Sequence, residues 1–235
     1  MSSPALEVLY EDNHLLVLNK PAGLPTMGTP DGTPTLLTVA KDYIKEKYQK
    51  PGNVYLGVMS RLDAPVTGVV LLARTSKAAA RMTEQFRTHV VQKSYWTLVA
   101  GTPHPTSGSY TDWLIQDERH RCMHVVENGR LGAKEARLAY RLLGHPALGV
   151  GDGRISFLEV ELETGRKHQI RLQMAHHGHP VVGDRKYGSQ LKFSSGIALH
   201  ARRLVVAHPV RGEPLVFEAP VPKSWPQEFQ KKDEG

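Results

Sequence analysis

Short strand-like runs, divided by turn residues and only rarely by a helical period, limit the fold of this chain more than any other feature. Residues 6–10 read as a strand, Asp12-Asn13 marks a turn, and residues 15–18 form the return strand. Residues 68–74, 93–100, 134–143, 155–162, 198–207 and 215–219 carry further strand signals. Three stretches show a helical period. In residues 35–47, Leu36, Val39, Ala40, Tyr43 and Ile44 share a stripe. Behind an N-cap at Ser76, Ala78, Met82, Phe86 and Val90 recur every fourth residue. Residues 166–177 form the third, closed by Gly178 and Pro180. Hairpins therefore outnumber strand–helix–strand crossovers. The expected fold is α+β: a mixed, mainly antiparallel central sheet flanked by helices and loops. The apolar phase slips between Phe157 and Leu158, which predicts a β-bulge. Residues 102–130, rich in Pro, Gly, His and charge, read as a surface excursion with one or two short strands. Residues 223–235 read as a polar tail that frays.

The apolar share, 40% of 235 residues, is enough for a core without staples. One domain is expected over residues 1–235, in one body or in two lobes sharing a sheet with a boundary near 101–130, and with no separate N-terminal domain. The single cysteine, Cys122, excludes an internal disulfide and a cage of thiolates, and reads as an ordinary surface thiol. The first twenty residues lack the charged start and apolar run of a leader, and the longest apolar run, residues 69–73, is too short for a membrane. A soluble, cytoplasmic chain is expected. Lys and Arg number 30 against 23 Asp and Glu, with a pI near 9.5, so a polyanionic partner is expected, nucleic acid first. There is no P-loop, and Gly149, Gly151 and Gly153 lack the context of a dinucleotide fingerprint.

Four segments could carry chemistry. Ser60-Arg61-Leu62-Asp63-Ala64-Pro65-Val66-Thr67-Gly68 holds one carboxylate just before a buried strand, a good mount for a reactive group. By pattern alone, Asp63 reads more readily as a turn residue capping its own backbone. In Thr164-Gly165-Arg166-Lys167-His168-Gln169-Ile170-Arg171, a helix would put Lys167 and Arg171 on one face, as it would His168 and Leu172. Arg171 could pair with Asp63 and keep it ionised, or belong to a solvated basic face. His176, His177 and His179, with His168 upstream, invite a zinc reading, but their spacing matches no metal site and only Asp184 accompanies them, so no metal is expected. They suit a helix C-terminus and phosphate contacts. Alternation in residues 93–99 puts Tyr95, Thr97 and Val99 on one strand face, where Tyr95 could stack on a base or sit half-buried in the core.

Together these segments resemble the RluA family of pseudouridine synthases. The Asp63 segment looks like the family's central motif. Residues 8–12 and 17–24 look like its first, and Gly165 to Arg171 with Gly178 to Asp184 and Tyr187-Gly188 like its third. Leu199-His200-Ala201 and His208-Pro209 also fit, so the likeness runs in order from about residue 6 to 222. Ser60 departs from the usual His, Val66 and Thr67 from Thr and Ser, and Lys167 from Thr or Ser. The resemblance implies the pseudouridine synthase fold and uridine isomerisation in structured RNA (tRNA, large-subunit rRNA or both) with no cofactor; no obligate protein partner is evident, and a monomer is the default expectation. It implies Asp63 as the catalytic carboxylate, as nucleophile or base, with Arg171 as its ion-pair partner. It implies Tyr95 stacked on the uracil, Leu199 on the other side of the base, and Arg61 in the space the flipped base leaves. Arg166 and His168 complete the substrate-binding set. The altered residues Ser60, Val66 and Thr67 motivate one alternative, a non-catalytic RNA-binding protein on the same scaffold.

Overall fold

The computed structural model describes residues 6–29, 32–120, 122–146, 155–226 and 229. In chain order the elements are β1 (Glu7–Glu11), β2 (Leu15–Lys20), α1 (Leu36–Lys47), β3 (Gly57–Val58), β4 (Thr67–Ala73), α2 (Ser76–Arg87), β5 (Gln92–Ala100), β6 (Ser107–Asp117), β7 (Cys122–Val126), β8 (Lys134–Gly144), β9 (Ile155–Leu162), α3 (Gln169–His176), β10 (Leu199–Ala207) and β11 (Pro214–Glu218). Two compact units result. The first joins residues 1–91 to 201–222; the second joins 92–200 to 223–235. The strand pairs with a described register are all antiparallel, as the excess of hairpins predicts.

In the first unit the strand order is β1-β2-β4-β10, with β3 also on β4 and β11 on β10. β4 is interior, so both its faces are covered and all seven of its residues are buried. That is why residues 69–73 form an unbroken apolar run rather than an alternating one. The pleat then sorts them. Val69 and Leu71 join Leu15, Val17 and Met82 of α2, while Val70 and Leu72 join Leu16, Leu18 and the Leu36, Ala40 and Ile44 stripe of α1. Each such aliphatic side chain contributes about 1.5–3 kcal/mol on burial. Thr35 caps α1 in a capping box with Thr38. The cap of α2 is Thr75, whose side chain accepts from the Ala78 amide, one residue before the expected Ser76.

In the second unit the order is β5-β9-β8-β6-β7. The excursion expected to hold one or two short strands holds two, the 5-residue β7 and an 11-residue β6 that pairs with β8 over Ser107 to Leu114. The slip at Phe157 and Leu158 is a real irregularity, but the extra residue lies on the partner strand: Leu158 faces Leu142 and Phe157 faces Gly144, which leaves Leu143 over. The tail expectation fails for its aromatics. Trp225 and Phe229 are buried, and Phe229 packs on Phe157. A polar average hid two anchors. The glycine run 149–153 lies outside the described residues.

Candidate active site

Asp63 sits half-buried on the loop that feeds β4, and the neighbouring Arg61 is exposed. The loop is fastened at both ends. On the β4 side the Met59 amide donates to the Leu71 carbonyl, while the Ser60 hydroxyl accepts the Leu71 amide at 2.9 Å. The serine that stands where the family usually has histidine is thus a backbone fastener. On the other side, the Thr26 hydroxyl donates to the Leu62 carbonyl at 2.7 Å and accepts the Leu62 amide at 3.1 Å. The Gly23 amide donates to the Ala64 carbonyl at 2.8 Å. The Val66 amide closes the turn onto the Asp63 carbonyl at 3.0 Å. A carboxylate on such a mount has little freedom to wander.

Lys20 completes the mount, and the sequence reading passed over it. Its side chain is fully buried, and its ammonium donates to the carbonyls of Pro21 and Leu24 at 2.8 Å and of Ala64 at 3.1 Å. Burial pushes its pKa down to about 8, against the pull of the Asp63 charge. A lysine ending the otherwise apolar run Leu15-Leu16-Val17-Leu18, just before Pro21, was the available signal. Lysines are almost never fully buried without a reason.

The second unit carries Tyr95, Arg166, His168, Arg171 and Leu199. α3 begins at Gln169, not Arg166, because His168 is left-handed at φ 54° and cannot continue a helix. Lys167 and His168 therefore do not share helix faces with Arg171 and Leu172. Gln169 ties the turn: its carbonyl oxygen accepts from the Thr164 hydroxyl and the Arg166 amide, and its amide group donates to the Arg137 carbonyl. Of the two readings of this stretch, the solvated basic face does not hold at Gln169, Arg171 and Gln173, which are buried. Arg171 holds Asp184 by two parallel hydrogen bonds, Nε to Oδ2 at 2.6 Å and Nη2 to Oδ1 at 2.9 Å, with both side chains buried. The Arg171 guanidinium lies over the Tyr187 ring, 5.2 Å from its centroid. The Tyr187 hydroxyl is 2.7 Å from His168 Nδ1 and accepts the Met123 amide. Burial pushes its pKa up, against the Met123 amide and the Arg171 charge.

Tyr95 is half-buried on β5 opposite Val160, and Leu199 opens β10 almost fully buried. Arg166 is exposed, and its Nε donates to the Glu135 carbonyl. With Lys134 and Lys167 it lines a cleft of about 400 Å³. The histidine tract disperses. His179 Nδ1 is 3.0 Å from the Ala100 carbonyl, whereas His177 stacks on Tyr110 with Nε2 3.2 Å from Asp112 Oδ2. The carboxylate beside these histidines is Asp112, not Asp184, which Arg171 holds. Asp112, His176 and His177 offer ligand atoms within 4.8 Å of one another.

A family model described as RNA pseudouridylate synthase matches residues 14–176. The chain is 38% identical over 237 residues to a ribosomal large subunit pseudouridine synthase D from Xanthomonas campestris, covering 93% of this chain and 66% of that one. It is 31% identical over 247 residues to a tRNA pseudouridine synthase C from Salmonella typhi, covering 94% and 88%. Among solved structures, human RNA pseudouridylate synthase domain containing 4 superposes with a TM-score of 0.75 at 26% identity, covering 96% of this chain and 93% of that one. The chain spans about two thirds of the length of several of the curated relatives it matches.

Proposed function

The chain belongs to the RNA pseudouridylate synthase family, and from that premise we propose that it isomerises uridine to pseudouridine in structured RNA. The observation that carries this reading is the mount of Asp63: one carboxylate, half-buried, on a loop clamped by Thr26, Gly23 and the buried ammonium of Lys20. The reaction breaks the N1–C1′ bond, turns the base and joins C5 to C1′, with no net redox change. In it Asp63 acts as nucleophile or base, Arg171 holds the carboxylate charged and aimed, and Tyr95 and Leu199 contact the flipped uracil. Arg61 fills the space that the base vacates. The cleft bearing Lys134, Arg166 and Lys167 supplies cations for phosphates, with the salt dependence such contacts bring. Relatives are named for tRNA and for the large ribosomal subunit, so both RNA classes are substrates to test. The reading also includes action as a monomer in the cytoplasm; among the described residues no helix is long and apolar enough to cross a membrane.

The test uses tRNA and rRNA transcripts labelled with tritium at uracil C5. Wild type releases tritium to water. Asp63→Asn releases none and binds the same RNA within a few-fold. Release by Asp63→Asn at a substantial fraction of the wild-type rate refutes the catalytic role, and tight binding of both pools without release by either protein favours the binding-protein alternative.

A further inference from the structure

The tip of the hairpin joining β6 to β7 carries no residue given a role in the proposed reaction, yet it gathers three metal-ligating atoms. The β6–β7 register places Asp117 directly opposite Cys122, so the two side chains leave the same face of the hairpin. His124 follows Cys122 by two residues and projects from that face as well. Cys122 Sγ lies 3.2 Å from His124 Nε2, which lies 3.6 Å from Asp117 Oδ2. All three ligand atoms fall within 4.8 Å of one another. Tetrahedral zinc, with Zn–S near 2.3 Å and Zn–N or Zn–O near 2.0–2.1 Å, separates its ligand atoms by roughly 3.3–3.6 Å. Both measured edges match that geometry to within a few tenths of an ångström, with the backbone as it stands.

The surroundings fit as well. His120 holds Asp117 from the turn: its amide donates to Oδ1 at 3.0 Å and its Nδ1 lies 2.7 Å from Oδ2. Outer hydrogen bonds of this kind orient the carboxylate ligands of metal sites. Cys122 is a free thiol and the His124 side chain is largely exposed, so an ion has a path in. No sequence motif announces the set because two strands assemble it.

We propose that Asp117, Cys122 and His124 bind one divalent transition-metal ion, zinc first, at the tip of this hairpin, with water in the fourth position. Binding replaces the thiol proton with a metal–sulfur bond and releases that proton to solvent. The ion pins the strand ends on either side of the turn. The other candidate group, Asp112 with His176 and His177, lacks a thiolate. An ion held there would give no thiolate charge-transfer band, so the two groups are distinguishable.

The experiment titrates the full chain, stripped of metal and kept reduced by a phosphine, with Co²⁺ and then Zn²⁺. A thiolate-to-cobalt charge-transfer band should saturate at one equivalent and vanish as zinc displaces cobalt. Cys122→Ser should lose the band and bind zinc at least 100-fold more weakly. His124→Ala and Asp117→Asn should each weaken zinc by at least tenfold, and the His176→Ala/His177→Ala double variant should bind as wild type does. Circular dichroism verifies that each variant is folded. The proposal is overturned by the absence of the charge-transfer band, by Cys122→Ser binding zinc as tightly as wild type, or by loss of binding only in the His176/His177 variant.

Discussion

Removing the Asp184 carboxylate should expose how much of the second unit hangs on one ion pair. In Asp184→Ala the Arg171 guanidinium stays buried, 5% exposed, without the carboxylate that takes its Nε and Nη2. Removing one member of a buried ion pair costs about 3–5 kcal/mol. With a urea slope of about 3 kcal/mol/M, the midpoint should fall by about 1–1.7 M. All three tryptophans, Trp96, Trp113 and Trp225, belong to the second unit, so tryptophan fluorescence reports on the unit that contains the pair. Replacing both partners, as Arg171→Met/Asp184→Leu, should recover most of the loss, because apolar side chains of similar volume make no electrostatic demand. Tritium release should be lost in that stable double variant, which would separate the proposed role of Arg171 in the reaction from its role in the fold. A midpoint shift below about 0.3 M for Asp184→Ala, or a double variant no more stable than the single one, would refute the reasoning.

Lys20→Met takes the ammonium from the carbonyls of Pro21 and Leu24 and leaves that of Ala64 with the Gly23 amide, and should cost about 2–4 kcal/mol by urea titration followed by far-ultraviolet circular dichroism; tritium release should fall at least tenfold. Because folding lowers the Lys20 pKa from 10.5 to about 8, the unfolded chain binds more protons across that window. Wild-type stability should therefore gain a rising contribution from pH 8 to 10.5 that Lys20→Met lacks. Gly68→Ala should fail to fold or lose more than about 2 kcal/mol, since φ is +112° and a Cβ would meet the Ala201 carbonyl and, at 2.6 Å, its amide nitrogen; unchanged thermal melting would contradict this. For Asp12, burial is outweighed by the His14 and Leu15 amides and by His208 and Tyr10, which hold its pKa at about 2. For Glu11, burial is outweighed by Lys47, Tyr48 and Tyr43, again to about 2. Both depressed carboxylates stabilise the fold fully above about pH 4.5, and that stability should fade by about 1–3 kcal/mol as pH falls toward 2. Asp12→Asn should flatten part of that slope in acid titrations.

The strand pattern was legible because hairpins announce themselves locally: Asp12-Asn13 set one turn, and alternation set the strands around it. Asp63 is singled out by a long motif rather than by its own surroundings, which by pattern alone favoured a plain turn, and its role is what the tritium assay tests. What escaped was non-local. Asp184 lies 13 residues beyond Arg171, and no helix periodicity links them. Lys20 looked like a strand-end charge because its three acceptors lie in the loops that follow and in the Asp63 loop. The start of α3 was misplaced because a left-handed His168 overrides an otherwise helical period. Trp225 and Phe229 were averaged away by the lysines, prolines and acidic residues around them.

The division of the chain has a consequence for its synthesis. The first unit takes residues 1–91 from one end and 201–222 from the other. Its core needs Leu204, Val206, Phe217 and Ala219 beside Leu15, Val17, Val69 and Leu71. A ribosome delivers these two groups about 110 residues apart, a gap of roughly 6–22 s at 5–20 residues per second. Over that interval the run Val69-Val70-Leu71-Leu72 waits without its final neighbours, in the class of apolar, β-prone segments that self-associate when left uncovered. The second unit receives residues 92–200 during the same wait but needs Trp225 and Phe229 from the final segment, so neither half is complete until the last residues emerge.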